Sequence, residues 1–222
     1  MFVGHFALGF AAKRVVPRVS LAMLFLAAQF ADILWPFFLF AGFEQVAIEP
    51  GNTAVTPLNF ISYPYSHSLL TMIAWGVILA FAYEKITHTR GAFLVLSALV
   101  VSHWLLDFVT HRPDMPIYPG SARLGLGMWN SVPLTAAVES VLYAAGVWIY
   151  ARTTRPRDAI GRWGFWALVA FLALIYVGNL TGPPPPSVPA IYLVGVIGSV
   201  ILLAWSWWVD AHRTTTGLRA DG

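Results

Sequence analysis

The chain has 222 residues, 58% of them hydrophobic, with 13 Lys and Arg against 10 Asp and Glu. A soluble domain carries about 25% charged residues; this chain carries 10%, which excludes a water-soluble enzyme, a nucleic-acid binder and a disordered tail. It contains no cysteine, so disulfides, thiolate nucleophiles and Cys-held metals are excluded, and any metal has to sit on nitrogen and oxygen.

In chain order, residues 1–12 predict a short apolar helix, too short to cross a bilayer unless extended toward Val16. It precedes Lys13, Arg14 and Arg18, the reverse of a signal peptide's order. Runs near the 20 or so apolar residues that a span needs fall at 19–43, 66–84, 91–110, 131–151, 163–181 and 188–209. The expected fold is therefore an all-α, polytopic membrane helix bundle with six full spans plus the N-terminal helix, in a single integral-membrane domain over 1–222. Phe, Trp and Tyr are abundant (15, 10 and 8), as suits rings at a membrane interface.

The connections alternate in charge. Lys13/Arg14/Arg18, Lys85/Arg90, Arg152/Arg155/Arg157/Arg162 and Arg213/Arg219 form one set; 44–65, 111–130 and the Pro183–Pro186 turn lie between them. The excess of Lys and Arg on cytoplasmic loops places the C-terminus inside and the N-terminus outside. Segments 44–65 and 111–130 are rich in Pro and Gly and read as long structureless outer connections, a kind that is often functional.

Ionisable residues within spans are rare because desolvating them is expensive, so each is a functional candidate. Here they are His5, Asp32, His67, His103, Asp107 and Glu139. Counting about 1.5 Å per helical residue puts Asp32 roughly 20 Å, His103 roughly 18 Å and Asp107 roughly 24 Å from the inner face. All six fall in the outer half, and the inner halves carry no ionisable side chain. A transporter needs polar groups along a complete path; chemistry open to one side fits better.

His103 and Asp107 stand at i and i+4 on one helix face, and His111 extends the stripe by a turn. An imidazole and a carboxylate on adjacent turns can reach one cation, and Asp32 and His67 complete a four-ligand N/O set suited to zinc. Blander roles compete. A lone buried His such as His5 is usually hydrogen-bonded structure, Asp32 could tie down backbone freed by Pro36, and His111 is as much a loop residue as a ligand. His88 and His212 read as solvated, and Glu44, Glu49, Glu84 and Asp210 as flanks of spans. Ser66 and Ser68 read as helix caps. For Asp32, His67, His103 and Asp107 together, four buried polar groups at one depth have to satisfy each other, and a metal does so most simply.

Gly4-His5, Ala31-Asp32 before Trp35-Pro36, Ser66-His67-Ser68-Leu69 and His103-Trp-Leu-Leu-Asp107 resemble the YdjM-like family of inner-membrane metal-dependent hydrolases, over roughly residues 1–140. The order His, Asp, His, His-x-x-x-Asp and a later Glu is similar to that of the zinc-dependent phospholipase C and fungal zinc nuclease superfamily. The resemblance implies one zinc on Asp32, His67, His103 and Asp107, and a second metal on His5 that shares Asp107. In those soluble enzymes a third zinc takes another His, for which His111 stands, and a His-x-x-x-Glu pair; here the pair reads Thr135 to Glu139, so one or two ions are expected. Glu139 is then a further ligand or a general base, Asp107 joins it as a catalytic residue, and Arg112 and Arg123 are candidates to hold a phosphate. The implied function is hydrolysis of a phosphoester in a membrane lipid or lipid-linked substrate, in a bacterial inner membrane, with residues 141–222 supplying C-terminal helices. The alternatives are a non-catalytic membrane protein with a structural metal site and an ion or metal transporter.

Overall fold

A computed structural model of the chain describes residues 1–89 and 91–216; Arg90 and Arg219 of the basic set lie outside them. The chain is mostly helical. The first helix, α1 (Val3–Ala12), is followed by α2 (Leu21–Ala28) and α3 (Phe30–Phe40), then a two-stranded antiparallel hairpin, β1 (Gln45–Ile48) with β2 (Leu58–Ser62). A single turn, α4 (Pro64–His67), leads into α5 (Leu69–Thr87) and α6 (Ala92–Thr110). The short pair β3 (Met115–Pro116) and β4 (Arg123–Leu124) precedes α7 (Val132–Thr153), after which β5 (Thr154–Pro156), α8 (Phe165–Thr181), α9 (Val188–Ala211) and β6 (Arg213–Thr215) complete the order. β5 and β6 pair antiparallel.

Among the described residues, five helices are long and apolar enough to cross a membrane: α5, α6, α7, α8 with the π-turn that leads into it, and α9. The run at 19–43 differs from the expected single span. It is α2 and α3, bent by 59° about Gln29, so the count is six only if the bent pair is one span. The break gives α3 its own N-terminus with Asp32 in the first turn, where the helix dipole favours a carboxylate.

The ten-residue α1 is about 15 Å long, half the thickness of a bilayer core. It is apolar all round and buried on nearly every face, with Phe10 fully enclosed, as a core helix rather than a surface one would be. It packs on α7 and α2. Gly146 permits the approach of α7: a Cβ there would collide with the backbone of Ala7.

The two long Pro- and Gly-rich segments, 44–65 and 111–130, are ordered, contrary to their reading as structureless. β1 and β2 pair Val46 with Phe60 and Ile48 with Leu58. The Val55 amide donates to the Trp129 carbonyl at 3.1 Å, which ties the hairpin to the segment before α7. At the opposite end of the bundle Lys13 meets Asp210 at 2.6 Å, and Asp210 also accepts from Tyr150 (2.7 Å) and the Leu21 amide (3.0 Å). Asp210 is therefore a clamp between α2, α7 and α9, not an idle flank.

Candidate metal centre

α6 supplies His103 and Asp107 from its last turns and His111 as its cap, α3 supplies Asp32, the α4 turn His67, and α1 His5. Four of their atoms converge. Asp107 Oδ2 lies 3.2 Å from His103 Nε2 and 4.0 Å from His67 Nε2; Asp32 Oδ1 lies 3.4 Å from His67 Nε2 and 3.6 Å from His103 Nε2. Ligands 2.0–2.1 Å from one tetrahedral zinc stand about 3.3–3.4 Å apart. Asp32 Oδ1, His67 Nε2 and His103 Nε2 form one group that could hold an ion, with Asp107 Oδ2 against His103.

The imidazoles have their inner nitrogens aimed by partners on the outer side. His103 Nδ1 donates to the Ala28 carbonyl at 2.8 Å, so its Nε2 carries the lone pair; that Nε2 is buried and has no hydrogen-bond partner among the described residues. His67 Nδ1 donates to Ser66 Oγ at 2.6 Å, and the Ser66 hydroxyl in turn donates to Glu44 Oε2, again at 2.6 Å. His111 Nδ1 donates to Asp114 Oδ1 at 2.9 Å, leaving Nε2 3.9 Å from Asp107 Oδ2. Such outer partners fix tautomer and ring orientation in metal-binding histidines. Burial lowers the pKa of His111, which favours the neutral, ligand-competent ring. Tyr63, whose pKa is raised well above normal first by burial and then by Asp114, stays protonated and donates to Asp114 at 2.8 Å.

The other oxygen of Asp107 faces a second group. His5 Nε2 lies 3.0 Å from Oδ1, and the Met1 amine donates to the same atom and to Thr110 Oγ1. The His5 ring stacks on that of His103 with centroids 3.6 Å apart. His5, His103 and Asp107 thus form a second ligand-sized group beside Asp32, His67 and His103.

Glu139 is not gathered with either group. Its Oε2 accepts from the amides of Phe2 (2.8 Å) and Gly4 (3.3 Å), satisfying the buried N-terminus of α1. Thr135, one turn earlier, donates to the Met128 carbonyl. Arg112 Nη2 donates to Asn59 Oδ1 and Arg123 Nη2 to the Ile61 carbonyl, so both brace the hairpin. Asp32 reaches His67 and His103 rather than the backbone near Pro36. Of the two serines around His67, Ser68 caps α5, accepting from Thr71 N, while Ser66 is the link to Glu44. Glu44 and Asp114 are the participants that the sequence did not single out. Asp114 had a signal in its i+3 spacing from His111; Glu44, 23 positions from His67, had none.

A cavity of about 480 Å³ opens in front of the set, lined by Asp32, His67, Asp107 and His111 and walled by Trp35, Phe60 and Trp129. The Asp32 side chain is 41% exposed, whereas those of His67, His103 and Asp107 are 3% exposed or less. Asp32 is the open face of the cluster.

No protein-family model, curated protein or solved structure matches the chain.

Proposed function

We propose that this chain is a metal-dependent hydrolase of the membrane that cleaves a phosphoester in a lipid or lipid-linked substrate. The observation that carries the reading is the meeting of Asp32 Oδ1, His67 Nε2 and His103 Nε2 in one ligand-sized group, with Asp107 Oδ2 beside His103, at a cavity that Asp32, His67 and Asp107 line. Asp32, His67 and His103 would hold one zinc-type ion, and Asp107 with His5 a second beside it. Such an ion, when bound, polarises a phosphoryl oxygen and acidifies water at neutral pH. The rest of the work falls to the chain. Ala28 and the Ser66–Glu44 link hold the two imidazoles in the metal-binding tautomer, and Trp35, Phe60 and Trp129 screen one side of the cavity from water.

A structural metal site closes all its positions with protein ligands, whereas the group that Asp32 joins supplies three, Asp32, His67 and His103. The alternation of charge supports a site on the outer face of a plasma membrane with the C-terminus inside, and the resemblance of the 1–140 motifs to the YdjM-like hydrolases accords with the chemistry.

The test is metal analysis of detergent-purified protein together with hydrolysis of long-chain lipid phosphomonoesters and phosphodiesters, with Asp107→Asn as control. Stoichiometric metal and turnover that vanishes in the variant are expected. Bound metal with no turnover on either ester class would replace this reading with that of a structural site.

A further inference from the structure

A second cavity, of about 260 Å³, shares Asp32, Val194 and Gly195 with the one in front of the ligand set and leads away from it between α9 and the α2–α3 break. Its walls are apolar, with Phe6, Phe25 and Ile33 facing Leu202 and Leu203. Along α9 it extends from Val194 to Leu203, about 14 Å at 1.5 Å per residue. Gly198 lies midway, and a Cβ built there meets no atom within 4 Å, so the helix surface is hollow at that point. One polar atom stands out in this lining: Gln29 is 6% exposed and its Oε1 has no hydrogen-bond partner among the described residues. Buried polar atoms are nearly always satisfied, and one left open beside a cavity is the mark of a missing donor.

We infer that this crevice seats one hydrocarbon chain of the substrate, with the phosphoester end at Asp32 and a hydroxyl or amide of the same molecule donating to Gln29. The inference rests on the hydrolase reading and adds the substrate class, a single-chain amphiphile with a donor group. The crevice is apolar, a single chain fits its narrow length, and it ends at the one exposed ligand carboxylate. A methylene moved from water to an apolar wall is worth about fourfold in affinity, so turnover should depend on chain length up to the length of the crevice.

The experiment compares wild type, Gly198→Leu and Val200→Leu. Val200 is 63% exposed on α9 and serves as control. Each is assayed for kcat/KM on octyl, dodecyl and hexadecyl phosphate. In parallel each is crosslinked, without turnover, to hexadecyl phosphate carrying a chain-end diazirine, and the labelled peptides are mapped. In wild type, the longer chains should be preferred and the label should fall on α2 and α9. Gly198→Leu should lower the dodecyl-to-octyl ratio of kcat/KM by about tenfold or more, the worth of two methylenes, and lose the label; Val200→Leu should do neither. Gln29→Leu should slow hydrolysis of a monoacylglycerol phosphate and leave dodecyl phosphate unaffected. An unchanged chain-length profile in Gly198→Leu with hydrolysis intact would overturn the chain seat and leave the hydrolase standing. Label in the crevice that Gly198→Leu abolishes, with no hydrolysis by any variant, would uphold the seat and remove the hydrolase.

Discussion

His103 Nδ1 donates to the carbonyl of Ala28, 75 residues earlier, at 2.8 Å. That carbonyl belongs to the last residue of α2, where a helix leaves acceptors without intrahelical partners. The same break that frees it begins α3 and puts Asp32 in a first turn. The one break between α2 and α3 therefore orients His103 and positions Asp32.

Asp107 is the residue on which both groups depend, with Oδ2 toward His103 and His67 and Oδ1 toward His5. Asp107→Ala is expected to lose more metal than His5→Ala, which leaves the four-atom set intact. Metal content of the purified variants measures this. Unchanged metal in Asp107→Ala would refute the shared-ligand assignment.

The serines on either side of His67 have different work and should separate cleanly. Ser66→Ala breaks the link to Glu44 and is expected to weaken metal affinity about 10- to 100-fold, read by competition with a chelator. Ser68→Ala removes the α5 cap, costing about 0.5–2 kcal/mol of stability, and should leave affinity unchanged.

Glu139 is expected to act on stability rather than on metal. Glu139→Ala strands two amides at the start of α1 and should destabilise by about 1–3 kcal/mol, while Glu139→Gln, which keeps an acceptor oxygen, should recover much of the loss. Thermal unfolding in detergent and metal analysis of both variants distinguish the roles; loss of metal in Glu139→Gln would make it a ligand.

Because the chain has no cysteine, single-Cys variants report sidedness directly. Ala54, exposed on the hairpin, and Ala159, exposed before α8, are suitable sites. In intact spheroplasts a membrane-impermeant thiol reagent should label Ala54→Cys and spare Ala159→Cys. The opposite pattern would move the site to the cytoplasmic face.

The apolar runs, and most of the residues that converge, were legible without coordinates. A span is a local property, since about 20 consecutive residues must each tolerate lipid, and an ionisable group inside one stands out because its burial is costly. The i, i+4 spacing of His103 and Asp107 likewise follows from helix geometry alone. What the tertiary structure decided were pairings between distant segments. The ten-residue α1 could have lain anywhere by its composition; only packing on α7 and α2 makes it the centre of the bundle and turns Glu139 toward its amides. The bend at Gln29 carries no proline or glycine to announce it, and Glu44 lies at no characteristic distance from His67. Contacts of that kind depend on how helices cross, and a one-dimensional pattern holds no record of the crossing.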